Sequence, residues 1–95
     1  MQFALICRDA PGALEKRLAA RDRHIETVHA MKAAGTVIDG GAILNEAGEM
    51  AGFGRFVRFP HRAALDAWLQ SEIYVREGVW GDIEVLLFRR VQWKE

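Results

Sequence analysis

QFALICRDAPG, residues 2–12, is the stretch that decides the fold. Residues 2 to 8 are apolar and rich in strand formers, and Asp9, Pro11 and Gly12 then stop the strand. Pro11 suits an early helical position, and Asp9 is placed to satisfy free amides at the start of that helix. The strand is apolar on both sides, with Phe3 and Leu5 on one face and Ala4 and Ile6 on the other. IEVLLF, residues 83–88, repeats the feature: Ile83, Val85 and Leu87 oppose Leu86 and Phe88. Such strands need cover on both faces.

Between these strands the pattern from Ala13 to Ala34 is helical, with Ala19 the place for any kink, and Gly35 closes it. TVIDGGAIL (36–44), a turn over Asn45 to Glu49 and AGFGRFVRF (51–59) read as a hairpin. Pro60 and His61 interrupt the second strand. Arg62 to Gln70 is a helix with Ala64, Leu65, Trp68 and Leu69 on one face, and a loop holding Tyr74, Gly78 and Gly81 leads to a last strand, Ile83 to Val91. The order β-α-β-β-α-β predicts an α+β, ferredoxin-like sandwich, one antiparallel sheet with both helices on one face. Two helices cover only that face, so the other predicts a homodimer packed through the sheet face.

The 95 residues predict one domain, 1–95. Thirteen basic residues offset thirteen acidic ones, so no long-range field favours nucleic acid or an anionic membrane. A single cysteine, Cys7, excludes an intrachain disulfide and reads as a buried thiol in a reducing compartment. The first residues read as a strand, so no secretory leader is expected, and no apolar run approaches the roughly 20 residues that span a bilayer. A cytoplasmic location is expected.

The chemistry points to KRLAARDRH, residues 16–24. With Leu14 as reference and about 100° per residue, Leu18, Arg21, Ile25 and Val28 fall within roughly 40° of it, while Arg17 and His24 lie about 60° and 80° to one side. This predicts a buried leucine stripe with a polar seam at its edge, where an imidazole can titrate near neutral pH and meet a ligand. His29 lies about 140° from His24, too divergent for a helical metal pair, and His61 follows Pro60 without neighbouring ligands; no metal site is expected. Gly52-Phe53-Gly54 lacks the third glycine and helix start of a dinucleotide site, so no cofactor is expected.

CRDAPGALEKRLAARDRHI and IYVREGVWGDIEVLLF resemble the YciI-like (YCII-related) family over nearly the whole chain. The resemblance implies a dimeric α/β barrel of ferredoxin-like subunits and a pocket centred on a histidine and an aspartate, here His24 and Asp9. Arg17 and Arg21 flank the pocket, Gly41 matches the family glycine of the second strand and Tyr74 the tyrosine after the second helix. Glu72-Ile73 and Gly41-Ala42 depart from the Asp-Pro and Gly-Pro pairs of many relatives. Asp39 is the alternative partner for His24.

The resulting expectation is a cofactor-independent enzyme of lyase or isomerase type acting on a small molecule. His24 is the general acid or base, Asp9 orients it, Arg17 or Arg21 holds an anionic group, and Gly41 and Tyr74 line the substrate. A non-catalytic dimeric module that binds a metabolite or a protein partner is the alternative.

Overall fold

The computed structural model describes residues 1–93. β1 (Gln2–Asp9) leads into α1 (Leu14–Ala33), followed by the hairpin of β2 (Val37–Leu44) and β3 (Met50–Arg58), then α2 (Arg62–Ser71), a single-turn α3 (Ile73–Arg76) and β4 (Trp80–Phe88). The sheet is antiparallel with strand order β2-β3-β1-β4. This is the ferredoxin-like arrangement the sequence predicts.

The hairpin turn is built by Asn45, whose side-chain oxygen accepts from the amides of Ala47 and Glu49. Gly35, at φ +81°, ends α1 in the left-handed conformation that glycine adopts without steric cost. Two boundaries differ from expectation. β4 begins three residues earlier, at Trp80, and ends at Phe88, because Trp80 pairs with Asp9 across an irregularity in the β1 ladder. The segment around Tyr74 is a helical turn rather than open loop, capped by Glu72.

Odd-numbered β1 residues Phe3, Leu5 and Cys7 face the helices and are buried. Leu5 and Cys7 pack with Ala13, Ala20, Tyr74, Val79 and Trp80. Phe3 packs with Val37, Val57 and Leu65. Both helices thus share one face of the sheet. The other face carries Phe56 stacked on Phe88, ring centroids 4.7 Å apart, and leaves Leu86 47% exposed.

α1 is rotated from its expected phase. Arg17, Ala20 and His24 are its buried residues, whereas Leu14 and Leu18 are 52% and 61% exposed. The seam expected at the margin of the buried stripe is its centre. The cause lies outside the helix: Arg17 and His24 each find a carboxylate on another element, while the small Ala20 lets the helix approach the core closely. A buried charge with a good partner is tolerated where an unpaired one is not.

Candidate functional site

Four elements converge on His24. α1 supplies the imidazole, which is 3% exposed. The break between α2 and α3 supplies Glu72, held in extended backbone at φ −65°, ψ 131°. β3 supplies Phe53 and Arg55, two residues apart and therefore on one face. β4 contributes Trp80 at its first position.

His24 Nδ1 and Glu72 Oε1 are 2.7 Å apart, and an Arg55 Nη2 donor lies 3.4 Å from His24 Nε2. A guanidinium can only donate, so the neutral ring has its proton on Nδ1, given to Glu72, and its lone pair on Nε2. The contact to Nε2 is long and correspondingly weak. Tyr74 lies flat on the imidazole, and Phe53 and Trp80 meet its plane edge-on at 5.6 and 5.7 Å between centroids. The ring's position and tautomer are thereby fixed from several directions.

Asp9 does not hold His24. Both its carboxylate oxygens are taken by Arg17, from Nε and Nη2, each at 2.7 Å. The expected orienting bond is made by Glu72 instead, because a buried arginine in the first turn of α1 offers Asp9 a two-pronged partner. The expected cap at Asp9 is also not formed: α1 begins after Ala13 with no side-chain cap. Asp39, the other candidate, is exposed and accepts from the Gly40 amide.

Arg17 is correspondingly committed. Its hydrogen bonds to Asp9 push its pKa up, and its guanidinium carbon stands 5.0 Å from the Tyr74 ring centre. Tyr74 is thus stacked between a cation and an imidazole, and its hydroxyl donates to the Arg17 carbonyl at 3.4 Å. Burial raises the Tyr74 pKa, opposed chiefly by Arg17, so the phenol is neutral near pH 7. Arg21 is exposed, one turn further along α1. Gly41 lines a concavity of about 390 Å³ with Ile6, Gly54 and Phe56, on the sheet face away from His24. The structure therefore brings Tyr74 and His24 together, places Asp9 and Arg17 behind Tyr74, and separates Gly41 from them.

Arg55 was missed by sequence reasoning. It is 2% exposed, its guanidinium carbon 4.0 Å from the Phe53 ring centre and 5.7 Å from those of Trp68 and Trp80. Desolvation lowers its pKa, partly offset by the charge of Glu72. Arg55 Nε and Nη1, Glu72 Oε2 and Trp80 Nε1 are buried and have no hydrogen-bond partner among the described residues. The one available signal was an arginine at a core-facing position of a strand. Gly40 permits the arrangement on the neighbouring strand, since a Cβ there would lie 2.7 Å from the Arg55 Cβ.

A hollow of about 180 Å³ between α1 and β2 is lined by Val28, His29, Lys32, Val37, Asp39, Gly40 and Phe53. Phe53 is the side chain it shares with the His24 cluster. No cluster of three potential metal ligands occurs among the described residues, and none of their helices is long and apolar enough to cross a membrane.

The sheet order and the placement of both helices on one face define the fold as ferredoxin-like α+β. Residues 1–89 match the family model described as the YCII-related domain, and the chain belongs to that family. An uncharacterized protein of Haemophilus influenzae is 33% identical over 97 residues, spanning 96% of this chain and 99% of the relative. Among solved structures, 5-chloro-2-hydroxyhydroquinone dehydrochlorinase (TftG) of Burkholderia phenoliruptrix AC1100, in complex with 2,5-dihydroxybenzoquinone, superposes with a TM-score of 0.84 at 18% identity, covering 96% of each chain. An antibiotic biosynthesis monooxygenase superposes with a TM-score of 0.54 at 18% identity, over 96% of this chain and 98% of that one. Both share the fold.

Proposed function

We propose that this protein is a cofactor-independent enzyme of lyase or isomerase type, acting on a small molecule by proton transfer at His24 Nε2, with Glu72 in the orienting role expected of Asp9. The observation that carries the reading is a buried imidazole held between a carboxylate and a guanidinium, in a cluster that leaves four polar atoms without partners among the described residues. Each such atom costs about 1–3 kcal/mol when left unsatisfied, and a packing-only core has no reason to keep them. The superposition on a dehydrochlorinase that binds a dihydroxyquinone supports a small hydroxylated ligand.

The proposed step follows from the tautomer. Substrate draws the Arg55 donor away from Nε2, which frees the lone pair to take a proton from a substrate carbon. The C–H pair moves into the conjugated system as the new N–H forms, and Glu72 stabilises the imidazolium. Isomerisation returns the proton at another carbon; elimination releases a leaving group with its electron pair. Arg17 and Asp9 support the site by backing Tyr74. Gly41, through the opposite sheet face, enters the proposal only as a contact made in the homodimer, whose interface we assign to the face bearing Phe56, Leu86 and Phe88; Arg21, exposed on α1 on the other side of the sheet, takes no part in the proposed step.

The enclosure of His24 favours a second reading, a dimeric binding module in which the cluster is structural. Turnover of 5-chloro-2-hydroxyhydroquinone and of small keto acids by the parent, His24→Ala and Glu72→Gln proteins separates the two. The enzyme reading expects a rate loss of about 10²–10⁴ in His24→Ala with retained folding. No turnover by the parent, with both variants still binding 2,5-dihydroxybenzoquinone as the parent does, establishes the module.

A further inference from the structure

We infer that Arg55 is an anion-binding residue, and that the ligand of this site is a small planar compound presenting a carboxylate, phenolate or enolate oxygen to the Arg55 guanidinium. It deepens the proposed function by naming the substrate class, and rests on the His24 reading only for where the reacting proton lies.

The argument starts from hydrogen-bonding supply. Arg55 is 2% exposed, yet among the described residues only Nη2 has a partner, His24 Nε2 at 3.4 Å. Nε and Nη1 are unpartnered, and so is the indole Nε1 of Trp80. The surplus is therefore of donors, three nitrogens carrying four N–H groups against the single acceptor Glu72 Oε2. A neutral amide or alcohol ligand would answer one or two of them; a planar oxyanion pairs with a guanidinium along an edge, and the two edges of Arg55 that give parallel bonds, Nε with Nη2 and Nη1 with Nη2, both include the nitrogen beside His24.

Charge leads to the same place. Arg17 is neutralised by Asp9 at 2.7 Å, whereas no carboxylate of the described residues lies within 4 Å of the Arg55 guanidinium. What surrounds it is aromatic: Phe53, Trp68 and Trp80. Ring faces hold a cation without consuming its in-plane N–H groups. Those groups remain available to an anion, and flat walls select a flat one.

Nη2 touches Nε2 of His24, so an oxyanion on the neighbouring Arg55 donors stands beside the proton-accepting nitrogen. The arrangement binds the ligand oxygen and places its adjacent carbon or hydroxyl toward the imidazole.

The test uses benzoate and its neutral isostere benzamide, titrated into the full chain while the ¹⁵N–¹H resonances of the arginine Nε groups and of the His24 ring are followed. Benzoate is expected to shift the Arg55 Nε–H and to bind about tenfold or more tighter than benzamide. Arg55→Gln should lose that preference, Arg55→Lys should keep part of it, and His24→Ala should retain benzoate binding, which separates the anion site from the proton-transfer proposal. Equal binding of the two probes, shifts confined to other arginines, or no benzoate shift at all in the parent overturns the inference; the parent titration decides even where an Arg55 variant fails to fold.

Discussion

The Tyr74 ring lies parallel to the His24 imidazole, centroids 3.8 Å apart and planes 5° from parallel. The contact makes Tyr74 a positioning residue, since it fixes the ring plane and with it the direction of the Nε2 lone pair. Tyr74→Phe keeps the stack and gives up only a long hydroxyl bond, so it should cost no more than about 1 kcal/mol. Tyr74→Leu also removes the aromatic faces from His24 and Arg17 and should cost about 1–2 kcal/mol more. Urea unfolding of the pair measures the difference, and a Leu variant as stable as the Phe variant would contradict the stacking account.

The partner of the imidazole can be read directly. Glu72→Gln should move the His24 Nδ1–H resonance strongly upfield, because the acceptor loses its charge, whereas Asp9→Asn should leave it nearly in place. Asp9→Asn should instead destabilise the fold by about 3–5 kcal/mol, the cost of leaving the buried Arg17 without its counter-charge. The opposite pattern would restore Asp9 as the orienting carboxylate.

The phase of α1 gives a third expectation. Leu18→Gln, on a residue 61% exposed, should change stability by less than about 0.5 kcal/mol, while Ala20→Leu, at 1% exposure, should cost about 1–3 kcal/mol by overpacking. Thermal melts of both variants check it. A larger loss at Leu18 would return the leucine stripe to the core.

Burial pushes the Cys7 thiol up to about 12 from an ordinary value of 9.0. The native thiol should react slowly with a disulfide reagent near pH 8 and rapidly once unfolded. Between the two pKa values the unfolded chain has lost a proton that the folded chain keeps. The stabilising contribution is therefore complete below about pH 9 and is lost as pH rises toward about 12. Urea midpoints near pH 8 and near pH 10 should fall more in the parent than in Cys7→Ala.

Element order and hairpin were legible because they rest on local patterns: two-faced strands, Asn45 and Gly48 in the turn, Gly35 after the helix. His24 and Tyr74 were legible as residue types in a family pattern. Their partners were not. Hydropathy ranked Leu14 and Leu18 above Arg17 and His24 for burial, yet the ranking reversed once Asp9 and Glu72 supplied counter-groups from elsewhere in the chain. Glu72 counted as a departure from a family pair, and its replacement of Asp9 beside His24 depends on a chain separation of 48 residues that no periodicity encodes. Arg55 shares its strand face with Phe53 and Val57, but the rule that charges stay outside discounts an inward arginine.

Glu72 Oε1 has two occupations, since the oxygen that meets His24 also accepts from the Tyr74 amide at 3.4 Å and so starts α3. Whatever turns the imidazole away loosens the first turn of the very helix that carries its stacking partner, and whatever frays that turn releases the ring. Residue 72 is accordingly a poor place for gradual substitution: a replacement is felt twice, once by the backbone and once by the imidazole, and a viable one must serve both at a stroke.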